Sequence, residues 1–216
     1  MTLRIGALIN AIVAFAVFAW LGSYAARSGE PALFVGWESA LLNHSTLVAW
    51  WLTWSCYVYV LGPVAVALIV VAVRVPSWRG RIAFSLVMLL LCWLGADLFQ
   101  HLFARPRRLD WVVRHETAFS YPSSHAAISL GFYGLWAALI WRSELSRTLR
   151  TLLPLLLLAL VLGTCWSRLA LGAHYLTDLI GGALLACALL SAAIAVLPLK
   201  AFALPEGSGD HTDDLP

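Results

Sequence analysis

Six successive stretches of this chain, about 4–25, 47–73, 82–103, 124–141, 151–170 and 177–198, are predominantly apolar. Each is close to the ~20 residues that a helix needs to cross the hydrocarbon of a bilayer. The rest of the composition agrees: 62% of residues are hydrophobic, 12% are charged, and the mean hydropathy is +0.85, whereas a soluble domain carries about 25% charged residues. The expected fold is therefore all-α, a polytopic membrane bundle of six transmembrane helices whose apolar surface is solvated by lipid. A net charge of +3 is too small to suggest nucleic acid, and no stretch interleaves basic and aromatic residues as a nucleic-acid groove does.

The apolar run from Ile5 to about Leu21 exceeds the ~7–15 residues of a signal-peptide core, so it reads as a retained first span. Residues 26–46 hold Glu30-Pro31 and then Leu33, Phe34, Trp37, Leu41 and Leu42. That spacing fits either a short helix lying in the membrane interface or a plain loop. Gly62-Pro63 is a possible kink in the second span. Residues 1–199 form the membrane domain, and 200–216, with Glu206, Asp210, Asp213 and Asp214, read as a disordered acidic tail with too little apolar surface to order itself. Cys56, Cys92, Cys165 and Cys187 lie singly in apolar runs, as small buried residues do. The oligomeric state is not legible.

Orientation comes from Lys and Arg. With six spans, one side holds Arg4, Arg74, Arg79, Arg81, Arg142, Arg147, Arg150 and Lys200, and the other holds Arg27, Arg105, Arg107, Arg108, Arg114 and Arg168. Most of the second set sits beside the histidine-bearing motifs, where a chemical role accounts for it. With those set aside, the first side is cytoplasmic. Both termini are then cytoplasmic, the motifs face outward, and Trp50, Trp51 and Trp54 form an outer aromatic belt.

The chemistry-bearing residues concentrate in three places. Ser167-Arg168 is followed after five residues by His174 and four further on by Asp178. Residues four apart on a helix share a face, so Asp178 is placed to hold one ring nitrogen of His174 and leave the other bare, the arrangement that orients a nucleophilic or basic imidazole. Tyr121-Pro-Ser-Ser-His125 sets a second histidine at the start of span 4, and residues 104–122 are rich in arginine. Arginine presents a planar fork of donors suited to phosphate. Alternation of the spans brings all these pieces to one membrane face, and together they point to phosphate-ester chemistry.

These residues resemble the type-2 phosphatidic acid phosphatase (PAP2) superfamily of membrane lipid phosphatases. Ser167, Arg168, His174 and Asp178 match its Ser-Arg-x5-His-x3-Asp motif in full. Pro122, Ser123 and His125 match Pro-Ser-Gly-His, with Ser124 in the glycine position. Of Lys-x6-Arg-Pro only Arg107 matches; Gln100 replaces the lysine and Arg108 the proline. The resemblance implies that His174 attacks phosphorus to form a phosphohistidine, that Asp178 holds its tautomer, and that His125 protonates the leaving oxygen and later deprotonates water. It further implies that Arg107 and Arg168 bind the equatorial oxygens, joined by the Ser123 hydroxyl, with no metal or other cofactor. Gln100 weakens one phosphate contact unless Arg105 or Arg108 supplies it, and Ser124 adds a side chain where backbone approaches the phosphate.

The expected substrate is a membrane lipid phosphate or diphosphate. Undecaprenyl diphosphate is favoured by analogy for a six-span chain of this size, with phosphatidic acid, phosphatidylglycerophosphate and lipid A phosphates as alternatives. A weakly active or non-catalytic lipid-phosphate-binding relative is a further reading. A two-histidine, one-carboxylate iron site is disfavoured by the adjacent arginines, and no span is broken at its middle in the manner of a transporter. Asp97, three and four residues before Gln100 and His101, is a candidate partner for a motif arginine, because intramembrane carboxylates are costly and often functional. His115 and Glu116 are outer-loop candidates for substrate contact, while His44 and His211 read as surface residues.

Overall fold

A computed structural model describes residues 2–42, 46–108, 118–143 and 145–197. The regular structure of its described part is all helical: α1 (Thr2–Ser28), α2 (Ala32–Leu41), α3 (Thr46–Trp54), α4 (Val58–Arg74), α5 (Arg79–Phe103), α6 (Ser124–Ile128), α7 (Leu135–Trp141), α8 (Arg147–Ala170) and α9 (Leu176–Val196). A single 3₁₀ turn, Pro76–Trp78, leads into α5, and a π-helical stretch, Ser129–Gly134, joins α6 to α7. Six spans long and apolar enough to cross a membrane result: Leu3–Ser28, Leu47–Arg74, Pro76–Phe103, Ser124–Trp141, Arg147–Ala170 and Leu176–Val196. The tail read as disordered, His44, His115 and Glu116 lie outside the described residues.

The core is built around α1, α5 and α9, with the fourth span among them. Helices α1 and α9 pack along much of their length, and Asn10 Nδ2 on α1 donates to Ser191 Oγ on α9 at 2.6 Å. Phe18, Phe99, Phe103 and Tyr121 form an aromatic cluster with neighbouring centroids 4.9–5.8 Å apart. The outer faces carry Leu, Ile, Val and Trp side chains, as in Ile12, Trp51, Trp93 and Leu156. This inversion of the soluble pattern is what lipid as solvent requires.

One local feature differs from the expectation. Span 2 is interrupted at Ser55–Tyr57, between α3 and α4, whereas Pro63 lies inside α4. The interruption is stabilised from outside its own helix: the Ser55 carbonyl accepts from Tyr133 Oη at 2.6 Å, and Ser55 Oγ meets Thr164 Oγ1 at 3.0 Å. The segment after span 1 contains the short helix, α2, with Leu33 and Trp37 facing outward and Leu41 packed against Ala126, Leu169 and Leu179. Leu33 and Trp37 are 63% and 54% exposed, and Glu38 is 1% exposed.

Close helix approach depends on small residues. A Cβ on Gly131 would lie 2.3 Å from Cys92 Sγ, and one on Gly182 would lie 2.4 Å from the Ser123 carbonyl oxygen. The second contact matters most, since it lets the loop carrying His125 lie directly against α9.

Candidate active site

Helix α8 ends in a tight reversal that sets the spacing between Arg168 and His174. Gly172 has φ +65°, the left-handed conformation that glycine adopts without a Cβ clash. The Gly172 N–H bonds the Leu169 carbonyl at 2.9 Å, and the Arg168 carbonyl accepts from the N–H groups of Ala173 at 2.9 Å and His174 at 3.3 Å. The five residues between Arg168 and His174 are therefore one closed turn that returns the imidazole to the end of α8.

His174 precedes the first residue of α9, Leu176, so its contact with Asp178 does not arise on a helix face. Asp178 is the third helical residue and folds back as a cap: its Oδ2 accepts from the Tyr175 N–H at 2.9 Å and meets His174 Nδ1 at 3.2 Å. The same oxygen accepts from Ser120 Oγ, and Oδ1 accepts from Arg105 Nη1 at 2.5 Å. His174 and Asp178 are both fully buried.

Arg107 meets the imidazole at its Nε2 edge. Its Nε donates to the Ala118 carbonyl at 2.7 Å, and its Nη1 to the Ala173 carbonyl at 3.1 Å; Nη1 also lies 3.2 Å from His174 Nε2. A guanidinium only donates, so Nε2 must accept and the proton must be on Nδ1, facing Asp178. Burial first, and then the charge of Arg107, push the His174 pKa down to about 4 against the pull of Asp178.

Ser123 caps α6, its Oγ accepting from the Ala126 N–H at 3.4 Å, and its own N–H donates to the Asp178 carbonyl at 3.0 Å. That bond ties the second motif to the third. His125 is 7% exposed and lies in the electrostatic neighbourhood of Arg168, His174 and Arg107. Its ring stands edge-on to Tyr57 at 5.1 Å between centroids. His125 Nε2 is buried with no hydrogen-bond partner among the described residues. A buried orphan nitrogen is costly, and this one belongs to the residue expected to exchange a proton. Arg168, 1% exposed, donates from Nη1 to Thr53 Oγ1 at 2.8 Å.

The remaining predicted residues are placed as follows. Gln100 Nε2 donates to the Pro122 carbonyl at 2.9 Å, bracing the Tyr121–His125 loop. Ser167 Oγ donates to the Thr164 carbonyl of its own helix at 2.6 Å. Ser124 is half-buried at the first position of α6. Arg108 pairs with Glu38. Asp97 is exposed on α5, with its carbonyl bonded to His101 Nδ1 at 2.9 Å.

Several residues of this centre carry no motif signal. Thr53, Ser120 and Thr177 are buried hydroxyls on Arg168, Asp178 and Arg105 respectively. Glu30 and Glu38, from the segment after span 1, pair with Arg105 and Arg108. Burial pulls the Arg105 pKa down, but Asp178 and Glu30 outweigh it and hold it above the ordinary value. The one available hint was the presence of two carboxylates in an otherwise apolar stretch.

Six spans that gather two histidines, an aspartate and arginines at one end define an integral-membrane protein with a phosphate-handling centre. The PAP2 superfamily profile matches residues 81–201, which include every motif residue named above, and the chain belongs to that superfamily, whose members are phosphatases. Among solved structures, a transmembrane PAP2-type phosphatidylglycerolphosphate phosphatase from Bacillus subtilis is similar, with a TM-score of 0.69 and 19% identity over 83% of this chain and 92% of that one. No curated protein sequence matches the chain.

Proposed function

We propose that this protein is a metal-independent membrane lipid phosphatase that works through a phosphohistidine. The observation that carries the reading is the pair of contacts on His174, with Asp178 at Nδ1 and Arg107 at Nε2. They select the tautomer whose Nε2 lone pair is available, beside a cation that can pass to the phosphate. In the first step, Nε2 bonds to phosphorus as the phosphorus–oxygen bond to the leaving group breaks, and protonated His125 gives its proton to that oxygen. In the second, His125 takes a proton from water, the resulting oxygen bonds to phosphorus, and the phosphorus–Nε2 bond breaks to release inorganic phosphate and restore His174. Arg107 and Arg168 stabilise the charge on the equatorial oxygens.

The substrate inferred from chain size is undecaprenyl diphosphate, presented from the outer leaflet with the motifs extracytoplasmic and both termini cytoplasmic. A second reading is phosphatidylglycerophosphate. It accords with the name of the similar Bacillus subtilis enzyme.

The test is phosphate release by purified, detergent-solubilised protein on undecaprenyl diphosphate, phosphatidylglycerophosphate, phosphatidic acid and lipid A, with His174→Ala as control. Release that survives chelator and disappears in the control supports the reading. Equal release by the control, or none on any lipid, overturns it.

A further inference from the structure

Three consecutive backbone amides at the start of α9 are each bound by a different carboxylate. Tyr175 N–H donates to Asp178 Oδ2 at 2.9 Å, Leu176 N–H to Glu38 Oε1 at 2.6 Å, and Thr177 N–H to Glu30 Oε1 at 3.1 Å. Two of those carboxylates come from outside the matched region, on the segment after span 1. Their side chains are 2% and 1% exposed. Each spends its second oxygen on an arginine: Glu30 Oε2 accepts from Arg105 Nη2 at 2.8 Å, and Glu38 Oε2 accepts from Arg108 Nη1. Glu30 Oε2 also accepts from Thr177 Oγ1 at 2.5 Å.

Arg105 is the member that reaches Asp178, the carboxylate on His174. Its Nη1 holds Asp178 Oδ1 while its Nη2 holds Glu30, and its guanidinium lies 4.0 Å from the Tyr175 ring centroid. The chain of contacts Glu30–Arg105–Asp178–His174 is thus continuous and buried. Arg105 bonded to Asp178 alone would draw the carboxylate's electron density toward itself and weaken its hold on the imidazole. A second carboxylate on the same guanidinium divides that pull, leaving Asp178 Oδ2 a strong acceptor for His174 Nδ1–H.

We propose that Glu30 is a positioning residue for the reaction, acting through Arg105 on the carboxylate that orients His174. This rests on the phosphatase reading above. The role requires the charge of Glu30 and not merely its tie to Thr177. The substitution Glu30→Gln keeps an acceptor for the Thr177 N–H while removing that charge.

Expected results are a loss in kcat of about tenfold for Glu30→Gln, as for a lost charge-assisted bond, with KM within about twofold because Arg107 and Arg168 are untouched. Glu30→Asp should recover part of the loss. A parallel readout needs no turnover: ¹⁵N-histidine NMR of the full chain in micelles, with the His174 signals assigned by their absence in His174→Ala. Glu30→Gln should move the His174 ring nitrogens and leave those of the exposed His101 in place. Unchanged His174 signals, or wild-type kcat in Glu30→Gln, overturn the proposal. An inactive wild type whose His174 signals move with Glu30 supports the positioning network and overturns only the enzymatic reading.

Discussion

Arg107 Nη1 and His174 Nε2 stand 3.2 Å apart, with the imidazole held on its other side by Asp178. Burial first, and then the guanidinium, oppose protonation of the ring and push the His174 pKa down to about 4. If protonation of His174 sets the acid limb of kcat/KM, that limb lies near pH 4. Arg107→Gln removes the opposing charge, so the His174 pKa rises and the limb moves to higher pH. The residual activity of that variant, measured across pH, checks the sign. An unmoved limb would show that Arg107 does not act on the imidazole.

His125 has a buried ring nitrogen with no partner among the described residues, as suits an acid that meets its partner only in the reaction. His125→Asn should lower kcat by about 10²–10⁴ on a lipid phosphate. The loss should shrink on an aryl phosphate, whose leaving oxygen needs little protonation. An equal loss on both substrates would argue for a structural role.

Gln100 braces the Pro122 carbonyl. Gln100→Leu should therefore destabilise the protein by about 1–3 kcal/mol, by leaving a buried acceptor unsatisfied, as thermal unfolding in detergent would report. Gln100→Lys should not raise kcat, because the position serves the loop. A tenfold gain would place the side chain on the phosphate instead.

Gly182 permits backbone contact between α9 and the start of α6. An added Cβ would sit 2.4 Å from the Ser123 oxygen and 2.8 Å from Ala126 Cβ, and the first of these is backbone that cannot rotate away. Gly182→Ala should cost about 1–3 kcal/mol through overpacking and displace His125, so kcat falls along with the melting temperature. A fully active, equally stable variant would contradict this packing.

Burial, reinforced by Glu30 and opposed by the Leu176 N–H and Arg108, raises the Glu38 pKa from 4.5 to about 7. Between those values the folded protein holds a proton that the unfolded chain releases. The Glu38 contribution to stability is therefore fully present below pH 4.5 and falls as pH rises toward 7. Glu38→Gln should flatten the pH dependence of the melting temperature within that window, and an unchanged slope would locate the proton elsewhere.

The amino-acid sequence alone determined the six spans and the histidine motifs, because both are properties of short segments. Apolar length is read along one dimension, and the Gly172 turn makes the spacing from Arg168 to His174 a local matter. Even there one cause differed: His174 and Asp178 meet through a capping turn ahead of α9 rather than along a helix face. Tertiary structure decided how the charges pair. Arg105 and Arg107 are two residues apart, yet Arg105 is locked between Glu30 and Asp178 while Arg107 meets Nε2 of the imidazole. No local pattern separates these fates, since the choice depends on carboxylates 75 and 73 positions away in the chain. The same holds for Glu38: apolar spacing suggested the short helix α2, but the partners that bury its carboxylate, Arg108 and the Leu176 N–H, come from distant segments. In lipid the apolar residues can face outward at no cost, so burial goes to the groups that must be satisfied, and where those lie depends on which helices the fold brings together.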